Sequence, residues 1–317
     1  MKEIAVGGNI AKISPTLKSL GKIIFYLLAT VVLGALLAPP LYWGGQWLAG
    51  HGIFPALAET PFRRFFHRSL LVAALALLWP VARWLRVPGV RALGLEPNPR
   101  RGADLGIGFA ASFCMMAALA AVMLALHVVK LESDIKPGVF LGAISAAIGA
   151  SIVEEWLFRG AILGLLARSL PRYVALFFTS ALFSILHFLM PDTADPQMVG
   201  WLSGFALIPG AFAQFREPWL VLGGFTTLFC VGWVLGWSRL KTRSLWMPFG
   251  LHAGWVFGLK TFSGTTDRIM KLKYSMPWFG DSLYVGIGSV LGVLLTGLIV
   301  WIALRRRTRS ADGRLAG

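Results

Sequence analysis

Glu154, Glu155 and Arg159 lie within an otherwise apolar run, and two later apolar runs each carry one histidine, His187 and His252. A charge near the centre of a bilayer costs about 2.5–3.5 kcal/mol even on the lenient insertion scale, so groups of this kind inside membrane spans point to a task. On a helix, Glu154 and Glu155 point about 100° apart, and Arg159, four residues past Glu155, shares its face. One glutamate can therefore pair with the arginine while the other faces a cavity, a division that splits acid and base roles between two carboxylates. Two imidazoles and a carboxylate are a zinc set, Glu154, His187 and His252, with a second glutamate as base for the bound water. Without metal, the same groups can activate water directly, a glutamate as base and a histidine as acid. Both chemistries stay open at this stage. No His-Glu-x-x-His helix, Gly-x-Ser-x-Gly elbow or convincing serine or cysteine nucleophile is present, which leaves water as the attacking group.

These residues must be positioned by membrane helices. The chain of 317 residues is 56% hydrophobic and only 14% charged, whereas soluble proteins are about 25% charged. Its 30 Lys and Arg against 14 Asp and Glu give a formal charge of +16, but the cations cluster between apolar runs. They read as flanks that orient spans on an anionic surface, and no nucleic-acid partner is expected. Cys114 and Cys230 sit singly in apolar runs, so neither a disulfide framework nor a thiolate metal site is indicated.

Apolar runs long enough to cross occur at about 23–43, 69–85, 104–128, 139–167, 173–190, 219–238, 244–260 and 283–303. The first follows Lys2, Lys12, Lys18 and Lys22 but exceeds the length of a signal-peptide core, so a retained span is expected. A shorter run at about 198–213, broken by Gly204, Pro209 and Gly210, raises the choice between eight crossings and nine. With eight, the clusters Arg83/Arg86/Arg91, Arg168/Arg172, Arg239/Lys241/Arg243 and Arg305/Arg306/Arg307 all fall on the side of the basic N-terminus. Arg63, Arg64 and Arg68 dissent, as do Lys260, Arg268, Lys271 and Lys273. The expectation is an all-α polytopic bundle of about eight transmembrane helices around a four-helix catalytic core, multi-pass in the cell (inner) membrane, with both termini cytoplasmic. Residues 191–218, with Asp192 and Asp195, become an outer loop with an interfacial or re-entrant piece. Three regions follow: 1–138 with three spans, a core at 139–260, and 261–317 with the last span and a basic tail.

Depth supports a single site. Counted from Arg168 and Arg172 at about 1.5 Å per residue, Glu154 and His187 both stand roughly 21–23 Å from the same surface. His252 stands roughly 13 Å from Arg243, or roughly 20 Å from Arg239.

The residues resemble the motifs of the CPBP family of CAAX proteases and bacteriocin-processing enzymes. Glu154-Glu155-Trp156-Leu157-Phe158-Arg159 is similar to its Glu-Glu-x-x-x-Arg motif, and Phe183-Ser184-Ile185-Leu186-His187 to its Phe-x-x-x-His motif. A third motif, His followed four residues later by Asn or Asp, is met only by its histidine: here it reads His252-Ala253-Gly254-Trp255-Val256. The resemblance covers about 139–260. It implies Glu154 as the water-activating glutamate, Glu155 and Arg159 as its support, and His187 and His252 as the groups that hold water or metal and shuttle a proton. Phe183 is a supporting, packing residue. Val256 departs from the family: the expected Asn donates to the developing oxyanion, and valine cannot.

The leading expectation is an intramembrane endopeptidase, metallo or glutamyl, acting on a membrane-associated peptide or a lipid-anchored protein. The alternative, motivated by Val256, is a catalytically weak or inactive relative that serves as a membrane scaffold or immunity protein. A transporter is the third class, since intramembrane carboxylates also mark ion paths, but no matched broken helices are visible in the two halves.

Overall fold

The computed structural model describes residues 7–84, 96–188, 198–216, 218 and 221–315. Lys2, Arg86, Arg91, Asp192 and Asp195, invoked above for orientation, lie outside them. The described chain is almost wholly helical. Helices α1 (Gly7–Gly50), α2 (Phe62–Trp84) and α3 (Arg101–Ala125) precede a core of α4 (Gly138–Glu155), α5 (Leu163–Ser169) and α6 (Arg172–Phe188). There follow α7 (Ser203–Gly210), α8 (Thr226–Thr242), α9 (Trp246–Thr265), the single turn α10 (Leu272–Ser275) and α11 (Ile287–Leu315). A π-helical stretch, Trp156–Ile162, joins α4 to α5 without a break in the helix.

The pattern of exposure is that of a bundle in lipid. Along α4 the buried stripe is Ala143, Ala147, Ser151 and Glu155, at intervals of four, while Leu141, Ile144, Ile148 and Ile152 face outward. On α11, Leu291, Leu294, Leu298 and Ile302 are likewise exposed and Thr296 is buried. Small and polar residues inside with aliphatic residues outside is the arrangement that association in a bilayer favours, because lipid leaves no hydrophobic drive between helices.

Among the described residues, six stretches are long and apolar enough to cross: Gly21–Gly50, Phe62–Trp84, Arg101–Ala125, Gly138–Arg168, Val221–Thr242 and Ile287–Arg307. Two of the eight expected spans differ. Helix α6 has 17 residues, a little under the usual crossing length of about 20, and α9 has 20 but is diluted by Gly, Trp and His. The dilution has a cause: α9 is enclosed by protein and needs no apolar surface all round. A Cβ at Gly250, Gly254 or Gly258 would run into Leu105, Phe109 or Met116 of α3. This run of glycines at intervals of four lets two helix backbones approach closely.

Chain direction agrees with eight crossings. Gly236 of α8 packs on Leu176 of α6, Gly232 on Ser180, and the carbonyl of Phe225 accepts from Ser184 Oγ, so α6 and α8 run antiparallel. The segment between them therefore makes no net crossing. Its helix α7, of eight residues, covers only about 12 Å, and it packs Gly204 and Leu207 on Ala35 and Ala38 of α1. The ends of α3 and α9 are tied by the antiparallel strands Val129–Leu131 and Thr266–Arg268. At the opposite end, Asp104 near the start of α3 pairs with Arg307 of α11.

Candidate active site

Helix α4 delivers Glu154 and Glu155 to the middle of the bundle, and the π-helical stretch begins at the next residue. Such insertions in α-helices recur at functional sites. Glu155 and Arg159 are fully buried and paired, with Arg159 Nη1 2.7 Å from Glu155 Oε1. The guanidinium lies 4.3 Å from the Phe183 ring centre and 5.7 Å from that of Phe158, and its Nη2 donates to the carbonyl of Gly232 at 3.4 Å.

Helix α9 brings His252 to the same carboxylate. Its Nδ1 is 2.7 Å from Glu155 Oε1. A carboxylate paired with arginine accepts, so His252 Nδ1 carries the hydrogen and donates, which leaves the lone pair on Nε2. The glycine stripe explains the aim of this side chain. His252 stands two residues, or about 200°, from both Gly250 and Gly254, and so points away from α3.

Helix α6 supplies His187 in the same sense. Its Nδ1 donates to the carbonyl of Phe183 one turn earlier, at 2.8 Å, which fixes the ring and turns Nε2 into the site. Both Nε2 atoms face one oxygen: Glu154 Oε2 is 3.3 Å from His187 Nε2 and 3.9 Å from His252 Nε2. That oxygen is buried and has no hydrogen-bond partner among the described residues. The Phe183 ring sits beneath the group, 4.1 Å from the His187 ring and 6.2 Å from that of His252. All six residues named from the sequence are thus brought together, and Phe183 has a second task there through its backbone carbonyl.

Two cavities reach the cluster, and His187 lines both. One, of about 160 Å³, is bounded by α1, α2 and the α4 to α6 region and contains Glu154, Tyr26, Thr30 and His67. The other, of about 280 Å³, opens among α3, α8, α9 and α11 and contains Phe183, His252, Trp255 and Val256. His252, Val256, Leu259 and Lys260, all on one face of α9, form a wall of the second. Two residues were not legible as site residues in the sequence. His67 sits among Arg63, Arg64 and Arg68 and reads as part of an interfacial cationic cluster. Trp255 reads as packing, yet its Nε1–H is buried without a partner among the described residues.

The arrangement has the donor types for zinc: two imidazole nitrogens with free lone pairs and a carboxylate oxygen. Among the described residues, however, no group of three His, Cys, Asp or Glu side chains converges as a metal-holding set. Water activation by these side chains needs no metal in any of its steps. What they provide is a carboxylate with two imidazole Nε2 atoms turned toward it, each ring held from behind by a hydrogen bond at Nδ1.

Residues 136–258 match the family described as type II CAAX prenyl endopeptidase Rce1-like, part of the CPBP family. The match begins just ahead of α4, ends within α9 and contains every residue of the cluster. No curated protein and no solved structure gives a match.

Proposed function

We propose, on the premise of this Rce1-like core, that the protein is an intramembrane endopeptidase that hydrolyses a membrane-associated peptide or lipid-anchored protein with water activated by Glu154. The observation that carries the reading is that Glu155 behind His252 and the Phe183 carbonyl behind His187 hold the two rings by Nδ1 and turn both Nε2 atoms toward Glu154 Oε2. With both rings neutral, a water held there gives one hydrogen to Glu154 and the other to one of these nitrogens, which aims an oxygen lone pair at a peptide carbonyl in the adjoining cavity. Attack forms the C–O bond as the water proton passes to Glu154. Glu154 then returns that proton to the departing amine nitrogen as the C–N bond breaks. Glu155 and Arg159 act through His252 and touch no substrate.

The developing oxyanion needs a donor that Val256 cannot provide. Trp255 lines the same cavity and its Nε1–H is buried and unpaired among the described residues, which makes it the group available for that bond.

Purified protein in lipid nanodiscs, supplied with a panel of membrane-inserted and lipidated peptides, tests the proposal. Cleavage by wild type and its loss in Glu154→Gln, with an unchanged melting temperature, is the expected result. Cleavage retained in that variant sinks the reading. The rival reading, a non-cleaving scaffold or immunity protein, rests on Val256, and it gains if the Glu154→Gln variant complements a deletion as well as wild type does. Placement in the cell membrane with both termini cytoplasmic is part of the same proposal, supported by the basic clusters at one end of the spans.

A further inference from the structure

A third cavity, of about 460 Å³, lies far from the cluster, where the start of α3 meets the ends of α8 and α11. Arg100, Lys241, Arg305 and Arg307 line it together with Trp237 and Trp301. The nearby carboxylate does not neutralise this set. Asp104 gives one oxygen to Arg307 and accepts from Asn98 Nδ2 at 2.9 Å with the other, so Arg307 is held in place while Arg100 and Lys241 have no acidic partner among the described residues. Arg305 lies over the Trp301 ring at 3.9 Å. The cavity is therefore built, with one cation fixed by a buried carboxylate, one stacked on an aromatic ring, and two more at its edge.

Its position selects the ligand. The apolar stretches Val221–Thr242 and Ile287–Arg307 both end at this cavity, and Arg101–Ala125 begins there, which puts it at headgroup level. Trp237 and Trp301 are where interfacial aromatic residues belong. Leading away from it, α11 exposes Trp301, Ile302, Leu298 and Leu294, an apolar track on which acyl chains can lie. A free phosphate would use the cations and leave that track unused.

We propose that this cavity is a binding site for an anionic phospholipid, whose phosphate is held by Arg100, Lys241, Arg305 and Arg307 and whose acyl chains run along α11. Basic pockets between helices at an anionic leaflet bind headgroups in this way, each cation near the surface strengthening binding about fivefold.

Native mass spectrometry of the delipidated full-length protein, titrated with phosphatidylglycerol, phosphatidylcholine or inorganic phosphate, tests the site. The expected result is one retained phosphatidylglycerol per chain, no retained phosphatidylcholine, and no displacement by an equal concentration of inorganic phosphate. Arg100→Gln/Lys241→Gln should weaken retention about twenty-five-fold. Lys241→Arg should preserve it. Lys130→Gln/Lys136→Gln, which removes the same charge from exposed positions at the opposite end of the bundle, should leave it unchanged. Equal losses in the two double variants, equal retention of phosphatidylcholine, or displacement by inorganic phosphate would each overturn the proposal. Because none of these positions belongs to the Glu154 cluster, the outcome is independent of whether the protein cleaves peptides.

Discussion

Ninety-seven residues of chain separate Glu155 from His252, and Glu155 Oε1 lies 2.7 Å from His252 Nδ1. The same oxygen accepts from Arg159. This contact makes the stability of the core and the orientation of a site imidazole depend on one carboxylate, and it separates the two adjacent glutamates experimentally. Removing one member of a buried ion pair costs about 3–5 kcal/mol, because the partner charge is left uncompensated. Glu155→Gln strands the fully buried Arg159 and should lower both the melting temperature and the activity. Glu154→Gln should abolish activity with little change in melting temperature. Thermal unfolding in detergent beside a cleavage assay reads the contrast, and equal melting of the two variants contradicts it.

The tautomers are measurable directly. Both histidines donate from Nδ1, one to a carboxylate and one to a backbone carbonyl, so each should show a protonated Nδ1 and an unprotonated Nε2. Nitrogen-15 spectra of histidine-labelled protein in nanodiscs, assigned with His187→Gln and His252→Gln, check this. A protonated Nε2 on both rings would remove the acceptor that the proposed water needs.

The close approach of α9 to α3 predicts a steep dependence on single methyl groups. A Cβ at Gly250 meets the Leu105 carbonyl and the backbone nitrogen of Phe109, and one at Gly254 meets Ser112 Oγ and the Phe109 carbonyl. Backbone cannot rotate away, so Gly250→Ala and Gly254→Ala should each destabilise by about 1–3 kcal/mol, as overpacking does. Gly102 in the first turn of α3 has open space around its Cβ direction, and Gly102→Ala should be neutral or slightly stabilising. Because α9 also carries His252, the two damaging variants should lose activity in proportion to their loss of folded protein. Melting temperatures for the three variants give the comparison.

The parts of this site that were legible in the sequence are those that violate the solvent. Glu154, Arg159, His187 and His252 stand out because ionisable groups are costly in lipid, and counting helical rise from flanking arginines puts them near one depth. The choice of eight crossings over nine rested on charge bias, and the antiparallel course of α6 and α8 agrees that 198–213 adds no net crossing. Helix α9 was read as an ordinary span, although its apolar character is diluted, since the sequence does not record that α3 and α4 enclose it. The π-helical stretch left no compositional trace, because Trp156-Leu157-Phe158 suits an α-helix equally well. His67 was hidden for the opposite reason: in a run of arginines one more basic residue carries no signal. Trp255 was missed because a tryptophan in an apolar helix is ordinary, and only the unpaired Nε1–H marks it.

The valine at position 256 sets the last prediction. Loss of one oxyanion donor costs about a hundredfold to a thousandfold in kcat, so an active enzyme with Val256 must draw the bond from elsewhere. Trp255 lines the cavity that holds His252 and Val256, and its Nε1–H is buried and unpartnered among the described residues. Trp255→Phe keeps the ring and removes the donor. It should lower kcat about a hundredfold while leaving KM nearly unchanged, since the bond forms only as the carbonyl becomes tetrahedral. Val256→Asn places a donor one turn from His252 on the same face of α9. In the Trp255→Phe background it should recover at least about tenfold of the lost rate, and in the wild-type background it should add less because the donor is already present. If Trp255→Phe is silent and Val256→Asn raises the wild-type rate by the full amount, then the wild-type protein lacks an oxyanion donor, and the weak or non-cleaving reading of the site takes precedence.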